Sequence, residues 1–309
     1  MSRAKTPNIN ALIAVDKPCG MTSHDVVSRV RRALGQKRVG HAGTLDPAAS
    51  GVLVLGLGHA TRLLGLLTLE QKSYDVRIRF GSATDTDDAD GKTVLEAPCD
   101  ERIANSEFAT VYLHSRRGTH LQLPPQFSAI SKGGKRAYEL AREGKEVELE
   151  SREVSIYEAE LLGIEKGEKP AWDCHFLVSK GCYIRSIARD AGNDLACGAH
   201  VETLRRTSSG SIELSDCVSL EQLERDALAC VKAHALNPVE VLGYPQLELN
   251  ESQLADVRCG RSLRNTTSYE QESLLSMLSP DGLIGIWQVD GRRLRTKVNF
   301  AEPIVGVRL

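Results

Sequence analysis

The run Gly40-His41-Ala42-Gly43-Thr44-Leu45-Asp46-Pro47 sets one acidic side chain among turn-forming residues. From Gly40 to Gly51 the chain is rich in Gly, Thr, Asp and Pro, which predicts a loop between a helix and a strand. Loops on a rigid scaffold often carry chemistry. Upstream, Ala11 to Val15 is a short apolar run closed by Asp16-Lys17-Pro18-Cys19-Gly20. A helix is predicted next, capped at Thr22 or Ser23, with Val26, Val27, Val30, Ala33 and Leu34 at helical spacing and Gly35 at its end. Downstream, Val52 to Leu55 reads as a strand. Taken alone, Asp46 fits two roles: a reactive carboxylate, or an acid that caps a turn before Pro47.

Further out, Tyr74, Val76, Ile78 and Phe80 alternate with Asp75, Arg77 and Arg79, the pattern of a half-buried strand. Other strands are expected near 154–164 and 172–179, and helices at 59–69, 101–114, 136–143, 184–196 and 219–235. Strands and helices mix without a regular βαβ rhythm, which predicts an α+β fold rather than a doubly wound sheet. Past Asn237-Pro238 the helical pattern gives way to short strands and turns. A domain boundary is expected there, consistent with a 309-residue chain.

Hydrophobic residues at 41% and charged residues at 26% exclude a disordered or collagenous chain. No apolar stretch reaches the length of a membrane span, and MSRAKTPNIN lacks the hydrophobic run of a signal peptide, so the expected location is the cytoplasm. Eight cysteines occur without a CxxC pair, which argues against a disulfide framework and a four-cysteine zinc site. The formal net charge of −2 conceals segregation along the chain. Residues 1–80 hold 12 Lys and Arg against 5 Asp and Glu, and residues 111–145 hold 7 against 2. The reverse holds for 81–110 (2 against 8), 146–178 (3 against 9) and 213–256 (2 against 9). Basic blocks of this kind suit a polyanionic partner, although a solvated face explains any single block as well.

The Gly40–Pro47 run resembles the catalytic signature of the TruB family of pseudouridine synthases. Other blocks match in order: Asp16-Lys17-Pro18 with Gly20-Met21-Thr22-Ser23; Lys72-Ser73-Tyr74; Thr84-Asp85-Thr86 with Asp90-Gly91; Pro124-Pro125 through Ser128-Ala129; Arg136 to Arg142; Ser179-Lys180-Gly181 with Tyr183-Ile184-Arg185; and Gly198-Ala199-His200-Val201 with Leu204-Arg205-Arg206. One such motif is weak evidence, whereas eight ordered blocks from residue 16 to 206 are strong. Departures are mild: Ser50 and Cys182 stand where Thr is common, and Phe127 where Tyr is common.

The resemblance implies an α+β fold with a mixed, mostly antiparallel central sheet and flanking helices. It implies a catalytic domain over 8–237, with an RNA-gripping flap at about 118–145, and a small β-rich PUA-like RNA-binding domain over 238–309. The implied reaction isomerises the T-arm uridine at tRNA position 55: the N1–C1′ bond breaks, the uracil turns and C5 joins C1′. Nothing is oxidised and no group is imported, so no cofactor is expected. Asp46 is the implied catalytic carboxylate, Arg185 its charge partner, and Tyr74 the aromatic residue that stacks on the base and assists removal of the C5 proton. Tyr183 and Leu204 are the implied walls of the pocket. His41 is implied to hold the everted nucleotide or fill its place, and Lys17, Lys132 and Arg136 to contact the RNA. For Tyr183, Leu204 and Tyr74 the alternative is ordinary core packing; for Arg185, a surface arginine. The expected partner is tRNA alone, bound by a monomer, with no membrane and no obligate protein partner.

Two decoys fall away. Thr86-Asp87-Asp88-Ala89-Asp90-Gly91 hints at a calcium loop, but aligning Gly91 with the turn glycine puts Thr86 first and Ala97 last, where carboxylates are required. Gly56-Leu57-Gly58-His59-Ala60-Thr61 lacks the third glycine of a dinucleotide fingerprint. The histidines show no HExxH or paired spacing, so no metal site is expected. Two rival functions remain open to sequence: a tRNA-folding chaperone using the same basic surface, and a carboxylate glycosidase with Asp16, Asp85 or Asp90 as a second acid about 5–9 Å away.

Overall fold

The computed structural model describes residues 9–68, 71–128, 131–132, 135–136 and 149–306. The chain forms two compact units: Met1–Asp46, Gly51–Leu69 and Gly210–Leu309 make the first, Pro47–Ser50 and Glu70–Ser209 the second. Both units are discontinuous in sequence, and the first groups the N-terminal strands with everything after Gly210.

In the first unit β1 (Ala11–Lys17) pairs antiparallel with β3 (Ala49–Leu57) and parallel with β14 (Cys217–Ser219). Ala11 to Val15 are fully buried, as an unbroken apolar run requires when both faces of a strand are covered. Helix α1 (Ser23–Leu34) follows, its N-terminus closed by a reciprocal capping box between Thr22 and Asp25 and its C-terminus by Gly35 at φ 62°. Val26, Val27, Val30 and Leu34 form its buried stripe, as the spacing predicts. The same unit carries a curled five-stranded sheet in the order β15 (Gln246–Glu248), β17 (Leu274–Ser279), β18 (Gly282–Asp290), β19 (Arg293–Ile304) and β16 (Leu263–Arg264). One face of it, with Leu278, Leu283, Ile286, Val298, Phe300 and Ile304, shares a single core with Leu12, Ala14, Val52 and Val54. The other face packs Leu275, Met277, Trp287 and Leu294 against Val257. Backbone bonds from Val305 to Asn10 O (3.0 Å) and from Leu236 to Leu12 O (2.9 Å) tie the sheet's end and the preceding helices to β1.

In the second unit β4 (Lys72–Phe80) lies between β12 (Ala199–Ser209) and β11 (Ala171–Val178), with β10 (Arg152–Glu165) and β7 (Gly118–Gln122) beyond β11, all antiparallel. The alternation along β4 is realised: Tyr74, Val76, Ile78 and Phe80 are buried. On the other face Arg77 pairs with Asp173 (2.7 Å) and Glu165 (3.0 Å), and Arg79 with Glu165 (2.7 Å) and Glu202 (2.7 Å). Helices α3 (Ser106–Ser115) and α4 (Ile184–Asp194) cover the apolar face, where Leu113, Ile187 and Ala191 line one small cavity together with Ile78 and Trp172.

The architecture is α+β, mixed and mostly antiparallel, with flanking helices and a small β-rich C-terminal sheet. Local differences from the sequence reading have identifiable causes. Gly40 to Ala42 are not loop but the end of β2 (Val39–Ala42), which is recruited by β3 through the pairs Gly40 with Gly56 and His41 with Leu55. The expected helix 101–114 is a 3₁₀ turn and then α3, because Asn105 caps a new start by accepting from Glu107 and Phe108 N–H. The expected 219–235 helix breaks at Asp226, which caps Ala229 N–H in the same way. The segment 59–69 holds a 3₁₀ turn and one short helix, α2 (Leu64–Leu67), and the helix expected at 136–143 lies outside the described residues.

Because the C-terminal sheet and β1 share one core, a cavity on the first should loosen the second. Phe300→Ala is expected to destabilise the protein by about 3–5 kcal/mol. Hydrogen exchange is then expected to show reduced protection at Ala11 to Val15; unchanged protection there would mean the two parts unfold separately.

Candidate active site

Asp46 stands at the edge of the first unit, in the loop between β2 and β3. Gly43 turns the chain at φ 68°, a conformation that costs glycine nothing. Leu45 is then buried, and the Ser23 hydroxyl holds it from both sides, donating to Leu45 O at 3.0 Å and accepting from Leu45 N–H at 2.9 Å. Ser23 is the first residue of α1, itself 2% exposed, so the helix N-terminus fixes the peptide immediately before Asp46. Thr22, not Ser23, is the helix cap, which leaves Ser23 for this second task. Lys17 ends β1 fully buried, and its ammonium donates to Pro18 O (2.9 Å) and Met21 O (2.7 Å), bracing the turn that leads into α1. His41 lies on β2, partly buried.

The second unit holds Tyr74, Tyr183, Arg185 and Leu204. Tyr74 is 8% exposed on β4, opposite Phe176 on β11 and Arg206 on β12, and Leu204 pairs with Val76 one step along the same face. Tyr183 is the residue before α4, pinned by Gln122: its N–H donates to Gln122 Oε1 at 2.8 Å and its carbonyl accepts from Gln122 Nε2 at 3.1 Å. Arg185, in the first turn of α4, is 4% exposed. Its guanidinium donates to Thr86 O and Phe127 O, each at 3.0 Å, and lies 3.5 Å from the Asp88 carboxylate. This is a buried, positioned cation rather than a surface arginine. Lys132 and Arg136 fall in two short antiparallel strands, β8 (Ser131–Lys132) and β9 (Lys135–Arg136), whose side chains lie outside the described residues, as does much of the expected flap.

Sequence reasoning assigns no positioning role to the acidic loop after β5 (Ser82–Thr84). The loop fails as a calcium motif, yet it supplies the counter-charges for α4. Asp88 faces Arg185, and Asp87, at φ 61°, pairs with Arg189 at 3.2 Å. Asp88 is held in turn by Thr86 Oγ1 at 2.5 Å and Asp90 N–H at 3.2 Å. The available signal is charge: an acidic segment in a chain whose expected 184–196 helix starts with arginines. Ser23 is marked by the Gly20–Ser23 block but only as a cap candidate, and Gln122 carries no comparable signal, because both roles depend on backbone groups distant in sequence. Among the described residues no cluster of three or more metal-ligating side chains occurs.

A model of the TruB family pseudouridylate synthase N-terminal domain matches residues 31–184, and one of the tRNA pseudouridylate synthase B C-terminal domain matches 185–242. The tRNA pseudouridine synthase B of Mycobacterium sp. (strain KMS) is 41% identical over 94% of this chain and 96% of its own length. The chain belongs to the TruB family of pseudouridylate synthases. Proteins of the same name from Thermobifida fusca (39% identity; 96% of this chain, 98% of that one) and Geobacillus kaustophilus (42%; 83% and 91%) are also similar. Among solved structures, the archaeal box H/ACA sRNP Nop10-Cbf5 complex aligns with a TM-score of 0.68 over 97% of this chain and 90% of that one, at 22% identity, a likeness of fold. The two matches together cover the Gly40–Pro47 run, the acidic loop and α4, where the sequence blocks already resembled the family.

Burial raises the Asp87 carboxyl above its ordinary 3.8, against the opposing pull of Arg189 and Arg185. The folded state therefore holds the Asp87 proton more tightly than the unfolded chain does. Its contribution to stability is greatest below the ordinary value and is lost as pH rises through the raised one. Asp87→Asn keeps a side chain tolerant of positive φ and carries no charge to bury. Urea titrations are expected to find it at least as stable as wild type at pH 7, with the difference vanishing as pH falls toward 3.8. A less stable variant at pH 7 would show that the Arg189 pair outweighs burial.

Proposed function

We propose that this protein converts the T-arm uridine at position 55 of tRNA to pseudouridine, using Asp46 as the catalytic carboxylate. The observation that carries the reading is TruB membership, with 41% identity across 94% of the chain to a protein named tRNA pseudouridine synthase B. The target uridine is everted from the folded arm, at an unstacking cost of about a few kcal/mol supplied by contacts to RNA. Asp46 acts on the everted nucleotide while its N1–C1′ bond breaks. The uracil reorients, C5 bonds to C1′, and the C5 proton leaves as N1 gains one, so the product is an isomer. Arg185 keeps Asp46 ionised. Tyr74 stacks on the base and takes part in C5 deprotonation, Tyr183 and Leu204 wall the pocket, and His41 holds the everted nucleotide or fills its place. Support for these roles is the burial of Arg185 and Tyr74 and the anchoring of Tyr183 and of the Asp46 loop.

The protein works as a cytoplasmic monomer, with residues 8–237 catalytic, a flap at about 118–145, and residues 238–309 a PUA-like RNA-binding domain. Lys17, Lys132 and Arg136 serve RNA binding. The C-terminal sheet offers separate support for a polyanionic partner. Arg264 and Arg293 face each other directly across β16 and β19, both exposed, a like-charge pair that weakens a sheet. Among the described residues no carboxylate lies within ion-pair distance of Arg258, Arg264, Arg292, Arg293 or Lys297, whereas Arg261 pairs with Asp256 and Arg295 with Asp290.

Asp46→Asn is expected to bind tRNA with near wild-type affinity and form no pseudouridine, as read by chemical mapping of the modified base. Retained turnover would refute the catalytic assignment. Wild-type affinity for tRNA is expected to fall steeply with salt, and Arg264→Glu with Arg293→Glu to make that slope shallower by about one for each phosphate no longer neutralised. An unchanged slope would remove this face from the RNA-binding surface.

A further inference from the structure

Gln122 ends β7, where its backbone pairs with Arg152 of β10. That ladder leaves the side chain for another task. It is 4% exposed, and both ends of its amide meet a single residue: Oε1 accepts from the Tyr183 N–H at 2.8 Å, and Nε2 donates to the Tyr183 carbonyl at 3.1 Å. Two residues of an antiparallel ladder exchange bonds in this cyclic way, and here a side chain stands in for one of them. The strap that continues from Gln122 to Phe127 is fastened to the same helix. Leu123 O accepts from Ser186 Oγ at 2.9 Å and from Arg189 at 2.7 Å, and Phe127 O accepts from Arg185 at 3.0 Å. Every group named here belongs to the second unit.

The strap carbonyls hold side chains of α4, whereas Gln122 holds backbone. Tyr183 is extended at φ −106° and ψ 115°, and its own side chain does not cap the helix. Fixing the N–H and the carbonyl of one residue fixes both dihedrals, and with them the direction in which the Tyr183 ring leaves the chain. The clamped carbonyl also accepts the Ile187 N–H at 3.2 Å, so the helical bond that spans Arg185 starts from the oxygen that Gln122 holds. An apolar side chain of the same length would fill the space and set neither.

We propose that Gln122 is a positioning residue for the isomerisation: its amide clamps the Tyr183 backbone, so that the Tyr183 ring and Arg185 start from one fixed geometry. The proposal rests on the reading of Tyr183 as a pocket wall and of Arg185 as the partner of Asp46. Because both ends of its amide are engaged by Tyr183, Gln122 acts through that residue. A shift of about 1 Å in a positioned group costs on the order of a hundredfold in rate. The effect therefore falls on conversion, and tRNA affinity, which draws on phosphate contacts, stays.

The test compares wild type, Gln122→Met and Gln122→Glu in single-turnover conversion of transcribed tRNA, tRNA binding and thermal unfolding. Methionine keeps the length and makes neither bond, so Gln122→Met is expected to convert roughly ten- to a hundredfold more slowly at wild-type tRNA affinity. In Gln122→Glu the ionised carboxylate turns an acceptor toward the Tyr183 carbonyl, whereas the protonated carboxyl donates and accepts as the amide does. Burial raises that carboxyl above the ordinary glutamate value of about 4.3. The rate of Gln122→Glu relative to wild type is therefore expected to climb about fivefold or more as pH falls from about 8 to about 5.5, at constant affinity. Packing alone produces no such climb. A wild-type rate in Gln122→Met, or a flat ratio across that pH range, would overturn the proposal while leaving the isomerase reading intact. Should Gln122→Met fail to fold, the pH response of Gln122→Glu decides alone. Absence of pseudouridine with wild type itself would refute the isomerase reading, and this proposal with it.

Discussion

A buried guanidinium must have its charge balanced and its donors met, and around Arg185 that demand organises much of the second unit. Two carbonyls and one carboxylate contribute to meeting it: Thr86 O, Phe127 O and Asp88. Each comes from a segment that would otherwise be an independent surface excursion, either the acidic loop after β5 or the strap after β7. The arginine therefore acts as a tie between three pieces of chain, and its orientation is set before any substrate arrives. Removing the Asp88 carboxylate would weaken the charge balance of a buried guanidinium, which is costlier than breaking an exposed pair.

The first unit solves a different problem, that of holding a loop rigid beside a reactive carboxylate. Ser23 directs its hydroxyl to Leu45 rather than to the helix end, because Thr22 and Asp25 already close that end. The stiffness behind Ser23 comes from burial. Val26, Val27 and Val30 anchor α1, while β1 is covered on both faces and shares its core with the C-terminal sheet. A sheet expected as a separate module thus contributes apolar area to the strands that frame the Asp46 loop.

Whatever repeats locally is legible in the sequence. The α1 stripe, the alternation of β4 and the turn residues around Asp46 follow from side-chain period and turn chemistry, and the structure carries them. What stays concealed depends on partners far along the chain. Gly40 to Ala42 look like loop until β3 supplies a ladder, and the helices expected at 101–114 and 219–235 look continuous because an Asn or Asp at a new N-cap resembles any polar residue inside a helix. The acidic run at 85–90 fails a metal-loop template for good reason. Its carboxylates answer arginines about a hundred residues later, a pairing with no periodic signature. The family resemblance assigns roles to chemistry-bearing residues, whereas Ser23, Thr86 and Asp90 fall within its blocks without any positioning role being read for them.

The same pairings explain why net charge is a poor guide to what this chain binds. The total of −2 mixes charges in several different settings. One consists of acids that neutralise structural arginines: Asp173, Glu165 and Glu202 against Arg77 and Arg79, and Asp87 and Asp88 against Arg189 and Arg185. These charges cancel over a few ångströms and produce little field beyond a Debye length of about 8 Å at physiological salt. Another consists of exposed cations without such partners, as along β16 and β19, which present a local positive potential to solvent. Matching acids to arginines in space, instead of counting them along the chain, shows where a slightly acidic protein still presents a local cationic face.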